Sequence, residues 1–351
     1  MSREQRKLDH IKYALKLGDG PQTSGLEHVH FVHNCLPELN PQDIDLSSRF
    51  GGILLLSPFL VNAVTGGAEA VTEVNRRLAQ AAKKAGAALA VGSQYGAVKR
   101  QTNYYSYEVV REEYPDGVIF ANTSALATPE EALEAVKMLD ADALQIHLNP
   151  AQELIMPEGD REFKGLFANM QRILDKCCVP VIVKETGCGM AARQVKQLLK
   201  AGFTCFDVGG AGGTNFPAIE AARYGGTTLL NSWGINTAQT LIETGGVCGE
   251  DGYIAATGGV RTGLDAAKCL ALGADLTGMA GNVLEAAVND GADAAAELIT
   301  RAEDELRMLM LLTGSPNIRS MRKKPLYFTG PLLDFMQCRG WDAVELARSR
   351  R

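Results

Sequence analysis

From about residue 53 onward, short β-branched or aliphatic runs alternate with longer segments rich in Ala, Leu, Lys and Glu. That alternation is the pattern of βα units around a parallel sheet. It predicts eight strands, at residues 59–63, 87–91, 117–121, 143–147, 181–184, 205–208, 253–256 and 276–279, with helices between them such as 128–139, 190–201 and 264–272. The first of these helices opens Thr-Pro-Glu-Glu, where Thr128 caps the free amides and proline suits the first helical position. Eight such units without a Pro/Ser-rich linker favour one closed (β/α)8 barrel over two domains. The expected layout is a single domain: an N-terminal arm and extension (1–50), a barrel (51–312) and a C-terminal extension (313–351). Residues 213–251, between the sixth and seventh strands, are expected to form an elaborated loop over the barrel's active face.

Composition narrows the partners. A chain of 351 residues with 37 glycines and only 6% aromatic residues fits many tight strand-to-helix turns over an aliphatic core. The formal net charge of −6 argues against a nucleic-acid binder, while local basic patches leave an anionic small molecule open. None of the eight cysteines forms a C-x-x-C pair, so reduced thiols in a cytoplasmic protein are expected. The charged first 16 residues lack the apolar core of a signal peptide. The most apolar early stretch, 53–64, is interrupted by Ser57, Pro58 and Asn62 and is shorter than the roughly 20 residues of a membrane span, so no membrane association is expected.

Candidate chemistry clusters at strand ends. In 143–153 the alternation puts Leu144, Ile146 and Leu148 toward the helices and Gln145, His147 and Asn149 toward the barrel interior or mouth, with Gln152 and Glu153 following on the loop. A lone histidine is more often a hydrogen-bonded core residue, but four polar groups converging on one strand end read as a site. Lys184 ends another strand and needs an anionic partner, either a structural carboxylate or an electron-rich cofactor ring. Glycine clusters follow three strands, at 65–67, 209–214 and 257–263; the last, with Arg261 and the nearby Met279-Ala-Gly281, resembles a phosphate cradle after strands seven and eight. Gly187-x-Gly-x-x-Ala192 with Asp207 downstream mimics a dinucleotide turn, yet it sits on the fifth of eight similar units and is discounted. The basic arm Arg3, Arg6, Lys7, His10, Lys12, Lys16 is either a frayed terminus or a cover for an anionic substrate. The cluster Arg319, Arg322, Lys323, Lys324 is read as a solvated face.

Taken in order, Arg6-Lys-x-x-His10, Thr65-Gly-Gly67, Gly92-Ser-Gln94, Ala121-Asn122, His147-x-Asn-x-x-Gln-Glu153, Val183-Lys-Glu185, Gly212-Gly-Thr214, Trp233-Gly234 and Gly258-Gly-Val-Arg261 resemble the type 2 isopentenyl-diphosphate isomerases, from the N-terminus to at least residue 330. The His-x-Asn-x-x-Gln-Glu run is the most specific element of the resemblance. The resemblance implies reduced FMN across the barrel mouth, touched by Ala63, Val64, Thr65, Ser93, Asn122, Lys184 and Thr214, with Gly258, Gly259, Arg261, Ala280 and Gly281 around its phosphate. It further implies that Arg6, Lys7, His147 and Asn149 hold the diphosphate of isopentenyl or dimethylallyl diphosphate. Glu153 would bind that diphosphate through Mg2+, with Gln152 beside the reacting carbons. NADPH as reductant and a homo-oligomer, tetramer or octamer, belong to the same expectation. Three positions depart from the family pattern: Tyr95 stands where arginine is common, Asn236 where proline is, and Gly281-Asn282 replaces an arginine-containing turn. The rival is an FMN-dependent 2-hydroxy-acid oxidase or dehydrogenase on the same barrel; it wants a histidine base near the late strands, and all five histidines lie within the first 147 residues.

Overall fold

A computed structural model of the chain describes residues 3–249 and 252–347. Eight parallel strands close on themselves: β1 (Phe59–Val61), β2 (Ala88–Ala90), β3 (Ile119–Ser124), β4 (Ala143–Leu148), β5 (Val181–Glu185), β6 (Cys205–Asp207), β7 (Tyr253–Thr257) and β8 (Leu276–Met279), which pairs back to β1. All eight fall on the predicted segments, with ends shifted by a few residues. The three predicted helices appear as Pro129–Leu139, Ala192–Lys200 and Gly263–Ala271. Thr128 caps the first: its hydroxyl accepts from the Glu131 amide at 3.2 Å and the Glu131 carboxylate accepts from the Thr128 amide at 2.8 Å.

The two-residue period of the strands sorts side chains into two cores. Leu144 and Ile146 of β4 are fully buried in the shell between strands and helices. The inward positions change character along the barrel axis. At the floor they are apolar (Leu60, Ala90, Phe120, Ile182, Leu276), and Phe50 from the hairpin Ser48–Phe50/Ile53–Leu55 packs against Phe120 with ring centroids 6.1 Å apart. At the mouth they are Asn62, Asn122, Gln145, Lys184, Asp207 and Thr257, all buried. Buried polar groups persist only when they satisfy one another, so this layer is the part of the barrel that sequence hydrophobicity does not explain.

The two extensions are joined, since Val29–Phe31 pairs antiparallel with Leu326–Phe328. In the C-terminal cluster, Arg322 pairs with Asp275 at 2.5 Å and Lys324 donates to the Gly314 carbonyl at 2.6 Å, so these two cations are structural rather than merely solvated. The stretch expected as a loop after β6 is mostly helical, with Phe216–Arg223 and Thr237–Cys248 joined by an irregular turn; residues 250–251 at its end lie outside the described residues. On the second of these helices Leu241 and Ile242 pack into the main core, while Ile219 on the first is buried against the cavity, an arrangement the intervening Gly-rich turn obscures in sequence. Asn236, at the expected proline position, caps the second helix by accepting from the Gln239 amide at 2.9 Å. The basic arm is a helix, Arg3–Leu17, from which Arg6, Lys7, His10, Ile11 and Ala14 reach the cavity at the barrel mouth.

Candidate active site

The mouth layer is one connected network. Asp207, with no exposed surface, accepts from Lys184 Nζ at 2.9 Å and Asn62 Nδ2 at 3.1 Å, and also from the Thr257 hydroxyl. Lys184 therefore has a carboxylate partner and still lines the cavity. Gln145 links Asp207 (3.4 Å) to Asn122, whose amide nitrogen donates to Gln145 Oε1 at 2.8 Å. Asn122 Oδ1 lies 2.9 Å from His147 Nδ1. An amide oxygen only accepts, so Nδ1 carries the ring proton.

Above this layer lies a cavity of about 520 Å³. Its wall includes Arg6 and Lys7 from the N-terminal helix, His147 and Asn149 from the end of β4, Gln152 and Glu153, and Ala63, Val64, Ser93, Asn122, Lys184, Thr214, Gly258, Gly259, Ala280 and Gly281. Gln152 and Glu153 sit on a short helix, Pro150–Ile155, rather than on a loop, because Asn149 leaves the strand and Pro150 starts the turn. Asn149 Nδ2 donates to Gln152 Oε1 at 3.1 Å and to Glu153 Oε1 at 2.9 Å, while Glu153 Oε2 accepts from the Asp160 amide at 2.9 Å.

The residue that organises this side was not legible beforehand. Glu220, fully buried on the helix Phe216–Arg223, accepts from Gln152 Nε2 and lies against His10 Nε2, both at 2.7 Å, and pairs with Arg223. Burial alone would raise its pKa; the hydrogen bonds from His10, Gln152 and Arg223 outweigh burial and hold the carboxyl down at about 2. Burial outweighs the contact with Glu220 and keeps the His10 imidazole below its ordinary value. One carboxylate thus ties the basic arm to Gln152. The available signal was a Glu-x-x-Arg pair on one helix face, hidden by reading 213–251 as loop.

The glycine segments build a cradle. At Gly258 (φ 106°) a Cβ would stand 2.0 Å from the Gly210 carbonyl oxygen, and at Gly259 (φ 78°) 2.3 Å from that of Gly212, so the turns after β6 and β7 touch backbone to backbone. The amides of Gly259, Val260, Gly281 and Asn282, all cavity residues, find no acceptor among the described residues. Arg261, expected beside a phosphate, turns its guanidinium elsewhere: it meets Asp19 Oδ2 at 2.6 Å and the carbonyls of Gly259 and Gly212, each at 2.8 Å. Thr65, expected on the cavity wall, is buried behind it, bonded to Asn75 at 3.2 Å. Tyr95 lines the cavity, its hydroxyl accepting from Lys99 at 3.0 Å. The dinucleotide-like turn at 187–192 wraps a side chain instead of a phosphate. Glu185 accepts from the Cys188 and Gly189 amides at 2.6 and 2.9 Å, and burial outweighs those bonds to push its carboxyl up to about 7.

A closed parallel eight-stranded barrel with a polar layer and glycine turns at its mouth defines a (β/α)8 barrel of the kind that carries its site at the C-terminal ends of the strands. Residues 163–327 match the family of FMN-dependent dehydrogenases. Solved structures of mandelate oxidase share the fold, one at 17% identity with a TM-score of 0.65 over 92% of each chain, another at 18% with 0.66 over 93% of this chain and 98% of that one. The chain belongs to the isopentenyl-diphosphate delta-isomerase family. It is 43% identical over 342 residues to the enzyme of that name from Moorella thermoacetica, covering 97% of this chain and 96% of that one. To the Geobacillus and Bacillus licheniformis enzymes it is 42% identical over 344 residues, covering 97% of this chain and 98% of each of theirs.

Proposed function

We propose that the protein interconverts isopentenyl and dimethylallyl diphosphate on reduced FMN, with Mg2+ on the diphosphate. The observation that carries this reading is the meeting of His147, Asn149, Gln152 and Glu153 with Arg6 and Lys7 around one cavity that also contains the glycine cradle. The residues fit FMN. Unsatisfied amides at Gly259, Val260, Gly281 and Asn282 suit a phosphate, which a Cβ at Gly258 or Gly259 would disrupt by forcing the loops apart. Ala63, Val64, Ser93, Asn122, Lys184 and Thr214 offer apolar surface, donors and one cation to the ring and ribityl chain, and Thr65 supports that wall from behind.

Moving an unactivated double bond requires a proton at one carbon and removal of another, and the cavity's own side chains include no strong acid positioned for it. FMN held in this cavity in its reduced form would provide the chemistry for that proton addition and removal without net redox change. The chain's part is to bind, orient and exclude water. Arg6 and Lys7 would donate to the diphosphate; His147 would do so from Nε2 in its doubly protonated form, and Asn149 on giving up one of its bonds to Gln152 and Glu153. Glu153 would offer one carboxylate to Mg2+, an ion that prefers oxygen ligands and usually takes only one or two from the protein. Among the described residues no group of three or more His, Cys, Asp or Glu side chains is arranged to hold a metal. Gln152, its amide fixed between Asn149 and Glu220, would lie beside the reacting carbons of a substrate bound there. The helix Arg3–Leu17 covers them.

Reduction by NADPH, a homo-oligomeric state (tetramer or octamer) and a cytoplasmic location complete the reading. Among the described residues no helix is long and apolar enough to cross a membrane. A hydroxy-acid oxidase is disfavoured because the described histidines lining the cavity, His10 and His147, are engaged by Glu220 and Asn122, and Arg261 is engaged by Asp19. The test is an anaerobic assay with FMN, Mg2+ and isopentenyl diphosphate, with and without NADPH. Dimethylallyl diphosphate forming only with reduced flavin, without stoichiometric NADPH consumption, supports the isomerase; no product from folded, flavin-loaded protein removes it.

A further inference from the structure

The strap that follows the N-terminal helix crosses the cradle. Gly20 N donates to the Gly213 carbonyl at 3.1 Å, and Asp19 bridges to Thr214, so the Asp19 side chain is delivered to the turns after β6, β7 and β8. Its Oδ2 receives both Arg261 Nε (3.0 Å) and Nη2 (2.6 Å). With Gly259 and Gly212 carbonyls on Nη1 and Nη2, every nitrogen of that guanidinium is engaged. The other carboxylate oxygen, Oδ1, stands 3.5 Å from where a Cβ on Gly281 would lie, over the first residue of the helix Gly281–Asn289. Asp19 lines the cavity, and the Arg261 guanidinium is turned onto Asp19 and the Gly259 and Gly212 carbonyls. A carboxylate therefore occupies the rim of the place where unsatisfied amides await an anion, and it holds the one arginine of that turn.

We propose that Asp19 is a built-in competitor of the cofactor phosphate, which limits affinity for FMN by repelling the phosphate and by withholding Arg261. This inference rests on the FMN reading above. A carboxylate and a phosphate dianion sharing one cradle repel, and the repulsion falls as salt screens it. Neutralising Asp19 with an isosteric amide removes one negative charge and frees Arg261 to turn to the phosphate. Riboflavin, identical in ring and ribityl chain but lacking the phosphate, does not feel the difference. Asp19 thus determines how far the site prefers the phosphorylated flavin, and it does so from the same arm that brings Arg6, Lys7 and His10 to the cavity.

The experiment is a titration of flavin-free full-length protein with FMN and with riboflavin, read by quenching of flavin fluorescence, for wild type, Asp19→Asn, Arg261→Gln and the double variant. Wild-type binding of FMN tests the underlying reading first, and if it fails, that reading falls together with this inference. With it established, Asp19→Asn is expected to tighten FMN about tenfold at low ionic strength, with the gain shrinking as salt is raised and riboflavin unchanged. In the double variant, which lacks the freed arginine, most of the gain disappears. FMN affinity that is unchanged or weaker in Asp19→Asn overturns the proposal, as does an equal change for riboflavin. Should Asp19→Asn be poorly folded by circular dichroism, the longer carboxylate of Asp19→Glu provides the check: it keeps the charge, and a tenfold gain there would equally overturn the proposal.

Discussion

Glu220→Gln isolates the residue that joins the arm to Gln152. The carboxylate has three donors around it, from His10, Gln152 and Arg223, and no exposed surface. An amide of the same shape can accept at one end only. Whichever way it sits, its NH2 confronts either Arg223 or the His10 and Gln152 donors; in the second case the Gln152 amide must flip, which also breaks its bond from Asn149. A carboxyl held at about 2 rather than the ordinary 4.5 is worth about 3 kcal/mol of native-state stability, an order-of-magnitude figure. Because the folded pKa is depressed, that contribution is complete above pH 4.5 and is lost as pH falls toward 2. Chemical denaturation at pH 7 is therefore expected to show Glu220→Gln about 3 kcal/mol less stable, with the gap to wild type closing through the acid window. Turnover should fall more than about tenfold with flavin still bound, since Gln152 loses its orientation. Equal stability at pH 7, or a gap that persists unchanged at pH 3, would refute the assignment of Glu220 as an ionised hub.

Gln152→Asn withdraws the amide from both Asn149 and Glu220, and turnover is expected to fall about a hundredfold while FMN titration stays near wild type; full turnover would remove Gln152 from the site. In Glu153→Gln the activity against Mg2+ concentration should shift to at least about tenfold higher metal, because a neutral amide is a poor partner for that ion. An unchanged Mg2+ curve would exclude Glu153 as its ligand. Arg6→Ala should raise the KM for isopentenyl diphosphate about tenfold or more and leave FMN affinity alone, as expected for a charge-assisted contact to diphosphate. Loss of flavin instead would mean that the arm serves the cofactor.

The alternation of apolar runs and helical segments was enough to specify eight strands and the barrel, because strand burial and helix amphipathicity are local, periodic properties. The run at 143–153 likewise marked the residues that meet at the cavity, since a polar set at alternate positions near a strand's end has few structural uses. Glycine turns flagged the cradle for the same reason: the backbone contact of Gly258 with Gly210 tolerates no Cβ, and that requirement is written into the residue type. What pairs with what was not local. Lys184 demanded a carboxylate, but only the register of the parallel β5–β6 ladder, which sets Lys184 opposite Asp207, made it that residue. Glu220 is 68 residues from Gln152 and 210 from His10, and Asp19 is 242 from Arg261. Charge and polarity patterns carry no information about partners at such separations. Folding brings these groups together, and burial then makes each unpaired alternative too costly to persist.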